Sequence, residues 1–297
     1  MTHPYTTLEY ANSLRHVGRP FHVPEWDTWL MIREIQPGFS DATGVYPITV
    51  LNKKMDISGG LKRLKEEKLI SVVLVLDDFH RPDLIALQPY FSLIKPFKTH
   101  YVYQRDKPFC YAKHHRYELR QALKTVEVKP FNLKKEIESW VTLYDNLITH
   151  RKLKGLHAFP KEHHLALAKL EGMVAIGAFY EAELVCCHIW AKTEHYVHSH
   201  LAASTGKGYA TRAAYAVNDA ALHYFSDAKV INFGGGVTED ALIQDGLIQF
   251  KKGFANTLAS SYLCGAILDD IRYNELVLTR GKTAENAYFP RYRAPII

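Results

Sequence analysis

The residues best suited to chemistry lie between Lys229 and Phe254, where a short apolar run (Val230, Ile231, Phe233) gives way to Gly234, Gly235 and Gly236. Three consecutive glycines carry an entropic cost that a fold accepts where the backbone turns sharply or something approaches it closely. A helical pattern of Leu242, Ile243, Leu247, Ile248 and Phe250 follows and ends in Lys251, Lys252 and Gly253. Glu239 and Asp240 stand at its start, where acidic residues either complement the helix dipole or recognise a cationic amine. Without further context the glycines read as a tight strand-to-helix turn, and Lys251 as a cation complementing the C-terminal end of its helix.

A second candidate is the run Ala203-Ser204-Thr205-Gly206-Lys207-Gly208-Tyr209-Ala210, between a strand-like segment and an alanine-rich helical one. Small residues there let backbone N–H groups converge on an anion at a positive helix end. Ser204, Thr205, Gly206, Lys207, Gly208 and Tyr209 are therefore the candidate phosphate cradle, although a bare G-x-G occurs by chance in many proteins. The third feature is histidine. The chain has sixteen, eight of them from His150 to His200. His198 and His200 alternate onto one face of a strand pattern, with His188 on the strand before. They read as a general base or as hydrogen-bonded structural imidazoles. An H-x-H pair plus His188 lacks a third ligand at diagnostic spacing, so no metal is expected.

The elements that must hold these residues are clearest in the second half. Asn132 to Arg151 has helical spacing at Ile137, Trp140, Val141, Tyr144 and Leu147, and a second helix follows Pro160 over Lys161–Leu170. Strands are expected at Met173–Tyr180, Leu184–Ala191 and His195–Ala203, the first two joined by a hairpin-length connection. A helix over Tyr209–Phe225, the strand before the glycines, the helix after them and a strand at Ser261–Leu268 complete the series. Antiparallel strands followed by βαβ crossovers predict an α/β fold with a mixed sheet and helices on both faces. In the first half, 45–51, 70–76 and 99–103 read as strands, and Pro82–Ile94 as a helix opening on its proline.

Composition bounds the reading. With 297 residues, 47% hydrophobic and 23% charged, the chain has ample material for a buried core. Its longest apolar run, near Ile70 to Leu76, is too short to span a bilayer, and the N-terminus lacks a signal-peptide pattern, so a cytoplasmic home with no membrane partner is expected. Four cysteines, two of them adjacent, form neither a disulfide framework nor a zinc knuckle. A net charge of +6 tilts toward anionic partners such as phosphates, CoA, nucleotides or RNA.

Phe233-Gly234-Gly235-Gly236 followed by Asp245-Gly246-Leu247-Ile248-Gln249-Phe250-Lys251-Lys252-Gly253-Phe254 resembles the D-x-L-x-x-F-K-x-G-F signature of the FemAB-like branch of the GNAT acyltransferase superfamily. The segment from His114 to Leu123 resembles the basic helix that leads into the catalytic half, and Tyr288 to Pro295 is similar to tails of such proteins. The resemblance covers roughly residues 110–297 and the first hundred poorly, and implies a bacterial transferase with a GNAT-like fold; the first half reads as a second, degenerate copy of that fold in tandem, or as an elaboration covering the C-terminal domain. The expected domains are 1–115 and 116–297, with the boundary between about 105 and 128. It implies acyl transfer within a ternary complex, from acyl-CoA to a small-molecule or peptide amine, with Gly206 and Gly208 on the cofactor and Gly234, Gly235, Gly236 and Glu239 shaping the acceptor cleft. Lys251 would stabilise developing charge, and His198 or His200 would act as base. Ala203 stands where the family's cofactor loop begins with Gln or Arg. Two alternatives stay open: an aminoacyl-tRNA-dependent transferase acting on a peptidoglycan precursor, and a non-catalytic GNAT-like ligand-binding module. No coiled-coil arm that would grip tRNA is visible.

Overall fold

The computed structural model describes residues 2–151, 158–236, 246–280 and 288–295. Along the chain its elements are α1 (Leu8–Ser13), β1 (Arg19–Val23), β2 (Thr28–Gln36), β3 (Phe39–Gly44), α2 (Ile57–Glu66), β4 (Ser71–Asp77), α3 (Leu84–Leu87) and β5 (Leu93–Gln104). They continue as α4 (Lys113–Ala122), β6 (Glu127–Phe131), α5 (Ile137–Arg151), α6 (Lys161–Leu167), β7 (Met173–Tyr180), β8 (Glu183–Lys192) and β9 (Tyr196–Ser204). The series ends with α7 (Gly206–Ala210), α8 (Ala213–Tyr224), β10 (Val230–Gly235), α9 (Gly246–Lys252), β11 (Thr257–Ile267) and α10 (Asp270–Arg280).

The order repeats. Three antiparallel strands, a helix, a strand parallel to the third, a short helix and a last strand occur as β1-β2-β3-α2-β4-α3-β5 and again as β7-β8-β9-α7/α8-β10-α9-β11. This is the mixed α/β tandem expected from the sequence. The compact units nevertheless divide the chain differently from 1–115 and 116–297. One comprises Met1–Pro4 and Lys98–Ala259, the other Tyr5–Phe97 and Ser260–Ile297. The reason is that the last strand of each repeat runs out of its own unit: the C-terminal end of β5, from His100 to Gln104, pairs with β10 in the first unit, and β11 pairs with β4 in the second.

In the first unit the strands run β5-β10-β9-β8-β7-β6, and α8 packs on this sheet. Ala213, Ala216, Val217 and Ala221 of α8 are buried with Trp190, Val197, Ile231 and Phe233, small helical residues allowing close approach to the strands. The helix expected over Tyr209–Phe225 is two helices, because Arg212 adopts a left-handed conformation (φ 59°) between α7 and α8. The helix expected from Asn132 begins at Ile137.

In the second unit, whose strands run β1-β2-β3-β4-β11, two expectations fail. Residues 45–51 form no strand of their own; Pro47 has no N–H to give a ladder. The segment lies along β4 instead, with Thr49 N–H donating to Val75 O (2.7 Å) and Leu51 N–H to His80 O (3.1 Å). The helix expected over 82–94 is the single turn α3, capped by the Asp83 carboxylate at Ile85 N–H (2.9 Å). Pro89 has no N–H to carry the helical ladder on, and the chain has joined β5 by Leu93.

The second unit is tied together at Asp41, a fully buried carboxylate on β3. It accepts from Arg33 Nε (2.9 Å), from Arg293 Nε (2.5 Å) and from the Tyr292 hydroxyl (3.1 Å), which also pairs with Ser71 Oγ (2.7 Å). Asp41→Ala strips this network of its centre and should cost about 3 kcal/mol, as breaking a buried ion pair does. Denaturant unfolding at unchanged m-value measures it; a loss under about 1 kcal/mol would show that the network is not what holds 288–295 in place.

Candidate active site

The parallel pairing of β9 and β10 lasts three rungs, Val230↔Tyr196, Ile231↔Val197 and Asn232↔His198, although β9 runs on to Ser204. The cause lies in the glycine run. On its other side β10 pairs with β5 at Asn232↔Val102 and Gly235↔His100, so one extra residue is bulged out between these rungs. Gly234 takes the left-handed conformation (φ 78°) that such a bulge requires, and its N–H is held by Asn232 Oδ1 at 2.8 Å. A Cβ on Gly235 would lie 3.0 Å from Lys98 Cβ, and one on Gly236 would lie 3.0 Å from Ile248 Cγ1. Each glycine thus has a local steric reason.

Lys251 is not a solvated cation at the end of α9. It reaches back to β10, where its ammonium donates to Gly235 O at 2.7 Å. A Cβ on Gly234 would sit 3.3 Å from Lys251 Nζ, so the charge lies directly against the bulge. Gly253 is explained by α4: a side chain there would collide with the ring of His115, only 1.9 Å from its Nε2. His115 Nε2 in turn donates to Phe250 O at 3.0 Å, satisfying a carbonyl in the last turn of α9. Burial lowers the basicity of His115, in keeping with a neutral imidazole in that role.

At the end of β9, Thr205 caps α7, its Oγ1 accepting from Gly208 N–H at 3.0 Å. Gly208 packs on β8; a Cβ there would lie 2.2 Å from Val185 O. Gly206 faces open space, and Lys207 Nζ stands 4.2 Å from the centre of the Tyr180 ring. Tyr209 is largely exposed. Of the expected cradle, Gly208 N–H is therefore committed to Thr205. Gly206 and Lys207 supply the first amides of the helix, which have no acceptor within it.

The histidines separate into two groups. The register of β9 against β8 shifts between Ser199 and Leu201, so the alternation expected to place His198 and His200 on one face is interrupted at His200. His198 Nδ1 pairs with the Tyr196 hydroxyl (2.9 Å), which also accepts from Asn232 Nδ2 (2.9 Å), and Asn232 reaches His100. The His200 ring lies 6.0 Å from that of His163. Burial, with His164 and His188 nearby, pushes the His200 pKa down to about 3. His188 turns instead to α8, with Nδ1 2.9 Å from Asn218 Oδ1 and Nε2 2.7 Å from Ser199 Oγ. Its pKa is likewise pushed down to about 3, chiefly by burial and further by the charge of Lys251, with Asn218 opposing. Ser199 and Asn218 had no sequence signal beyond Ser199 alternating with the two histidines. Glu239 lies outside the described residues. Among those described, no three His, Cys, Asp or Glu side chains are arranged to hold a metal ion. Two surface concavities lie away from the bulge, one of about 400 Å³ beside Pro130, Phe131 and Tyr224, the other beside Arg116, Leu119 and Arg120.

No family model matches the sequence, and no curated protein does. Solved structures do match. FemX superposes with a TM-score of 0.64 at 12% identity, covering 92% of this chain and 95% of its own. L-PGS from Bacillus licheniformis gives 0.57 at 13% identity over 94% of this chain and 97% of its own. A protein of unknown function from Bacteroides thetaiotaomicron gives 0.59 at 15% identity over 89% and 92%. At these identities the comparison establishes the fold: the chain is built throughout like FemX, as the FemAB-like resemblance implied.

The two depressed histidines make stability sensitive to acid. Unfolded histidine titrates near pH 6.5, so between that value and about 3 the folded state binds fewer protons, and stability is full above pH 6.5 and lost as pH falls. At pH 5 the loss is about 2 kcal/mol for each of His188 and His200. Denaturant unfolding at pH 7.5 and 5 checks this, with His200→Gln expected to remove its share. Equal stability of the wild type at both values would contradict the buried neutral assignment.

Proposed function

We propose that the protein transfers an acyl group from an activated carrier to an amine at the point where β9 and β10 part. The observation that supports this is the end of their pairing at Asn232↔His198, beside a bulge against which Lys251 is held. A carbonyl entering there meets strand amides released from the ladder and a cation able to offset charge on a tetrahedral intermediate. The equivalent break in the N-terminal copy is occupied. β3 and β4 pair only at Ala42↔Val72 and Thr43↔Val73, after which residues 45–51 lie along β4. We therefore assign one site, in the C-terminal copy.

In this reading acyl-CoA is the donor, its phosphates on the amides of Gly206 and Lys207, with the Lys207 ammonium and Tyr209 beside them. Gly234, Gly235 and Gly236 line the acceptor side. His198, tied to Tyr196 and through it to Asn232, is assigned as the base of the pair on β9. A cytosolic setting goes with this reading, and no described helix is long and apolar enough to cross a membrane. An aminoacyl-tRNA donor with a peptidoglycan-precursor acceptor is the second reading. It is favoured by the commitment of Gly208 N–H to Thr205 and by whole-chain likeness to FemX and to an assigned lysylphosphatidylglycerol synthetase domain, whose name describes an aminoacylated phospholipid.

Thermal-shift titration with acetyl-CoA, longer acyl-CoAs and free CoA tests the donor. At a hundred times its dissociation constant a ligand adds about 2.7 kcal/mol of stability. Gly206→Trp should abolish the shift without unfolding the protein, since Gly206 borders open space. No shift with any thioester, together with salt-sensitive binding of aminoacyl-tRNA, would transfer the assignment to the second reading. With either donor, Lys251→Ala is expected to lower kcat about 100-fold; unchanged turnover would remove Lys251 from the mechanism.

A further inference from the structure

Ser199, His188 and Asn218 form a relay that neither the motifs nor the resemblance assigns. Ser199 is the residue immediately after His198, the last on β9 paired with β10, so its half-buried side chain stands where the two strands part. His188 Nδ1 lies 2.9 Å from Asn218 Oδ1. An amide oxygen only accepts, so Nδ1 carries the proton and Nε2 is left as the acceptor. Ser199 Oγ, 2.7 Å from Nε2, therefore donates to it and keeps its lone pairs for another partner. The imidazole is locked in this orientation by Trp190, whose ring centre lies 3.8 Å from its own, and by Asn218, itself buried on α8. A hydroxyl, an imidazole and an orienting carbonyl in this order constitute the geometry of an activated nucleophile.

We propose that Ser199 is a nucleophile that accepts the acyl group before the amine does, so that transfer proceeds by double displacement. The proposal rests on the acyl-transfer reading above and replaces the direct, ternary-complex transfer that the resemblance implies with two displacements. Ser199 Oγ forms a bond to the donor's carbonyl carbon while its proton passes to His188 Nε2 and the carbonyl π electrons move onto oxygen. Collapse of the adduct breaks the bond to the carrier, whose sulfur or oxygen departs with the proton from the imidazolium. The amine then attacks the acyl-serine ester, one of its protons travels through His188 Nε2 to Ser199 Oγ, and the amide leaves. Lys251, close enough to act electrostatically on His188, stabilises the negative oxygen in both steps.

The basicity of His188 shapes what this relay can do. Held near 3 by burial and by Lys251, with His200 also nearby, the imidazole is neutral throughout the usual working range. An attacking hydroxyl becomes strongly acidic as its new bond forms, so a weak base suffices for activated esters and thioesters, whereas unactivated amides are out of reach. Acylation should consequently not fade between pH 8 and pH 5, where a relay with an ordinary histidine loses its base to protonation.

The full-length protein is treated with a fluorophosphonate probe and, separately, with p-nitrophenyl acetate, and adducts are mapped by intact-mass and peptide mass spectrometry. One adduct on Ser199 is expected, absent in Ser199→Ala and forming at least 100-fold more slowly in His188→Gln. Its rate should hold to pH 5 in the wild type and acquire an acid limb in Asn218→Asp, whose carboxylate raises the histidine pKa; that variant also serves if His188→Gln fails to fold. No adduct, an adduct on another residue, or a rate indifferent to His188→Gln and Asn218→Asp overturns the proposal. Donor-dependent transfer with no acyl-serine would leave the acyl-transfer reading standing and remove Ser199. A Ser199 adduct that only hydrolyses, whatever amine is supplied, would keep the nucleophile and remove the transferase reading.

Discussion

The rung between Asn232 and His198 is the constraint on which the C-terminal copy depends. Asn232 serves it twice: its Oδ1 holds Gly234 N–H in the turned conformation, and its Nδ2 donates to the Tyr196 hydroxyl that orders His198. A strand that continued straight through Gly234 would extend the parallel ladder along β9 and pair the backbone that is instead released. The turn also aims Gly235 O at Lys251, so the same bulge that ends the ladder fixes the cation of α9. Bulges commonly re-aim side chains in this way beside reactive centres.

The two copies of the fold show what this constraint is worth. Both begin a parallel pair between their third and fourth strands and both abandon it after two or three rungs. In the C-terminal copy only Thr205 separates β9 from α7, so no chain is available to fill the break. In the N-terminal copy residues 45–56 separate β3 from α2, and the first part of that segment takes up β4's unused hydrogen bonds. Gly44 makes the return possible, since a Cβ there would run into the Thr49 side chain. The length of one connection thus decides between a filled break and an open one.

Much of this was legible in residue order. Near-continuous apolar runs and short turns revealed β7, β8 and β9, which are buried on both faces, and alanine spacing revealed α8, which buries one stripe. The glycine run and F-K-x-G-F marked the right place, but for partly different reasons. Gly253 answers to His115 and Gly208 to Val185 O, contacts with residues remote in sequence that no local pattern encodes. The exchanged ends of β5 and β11 were equally hidden, since each reads as an ordinary last strand. Pro47 and Pro89 were the visible warnings against the strand at 45–51 and the helix at 82–94, and apolar content masked both.

The distribution of buried imidazoles joins these threads. Among the described residues eight histidines are buried, His3, His100, His115, His163, His164, His188, His198 and His200, and every one belongs to the unit that contains the break between β9 and β10. The other unit holds His16, His22 and His80, and buries none of them. A buried polar side chain must be hydrogen-bonded to avoid a penalty of about 1–3 kcal/mol, and even then contributes little over a well-packed apolar one. Two copies of one architecture face the same packing problem, and the N-terminal copy solves it with aliphatic residues such as Leu30, Leu64, Leu74 and Leu76. Stability alone therefore gives no reason for the C-terminal copy to differ. The difference follows the open break: the buried imidazoles lie in the unit that contains it.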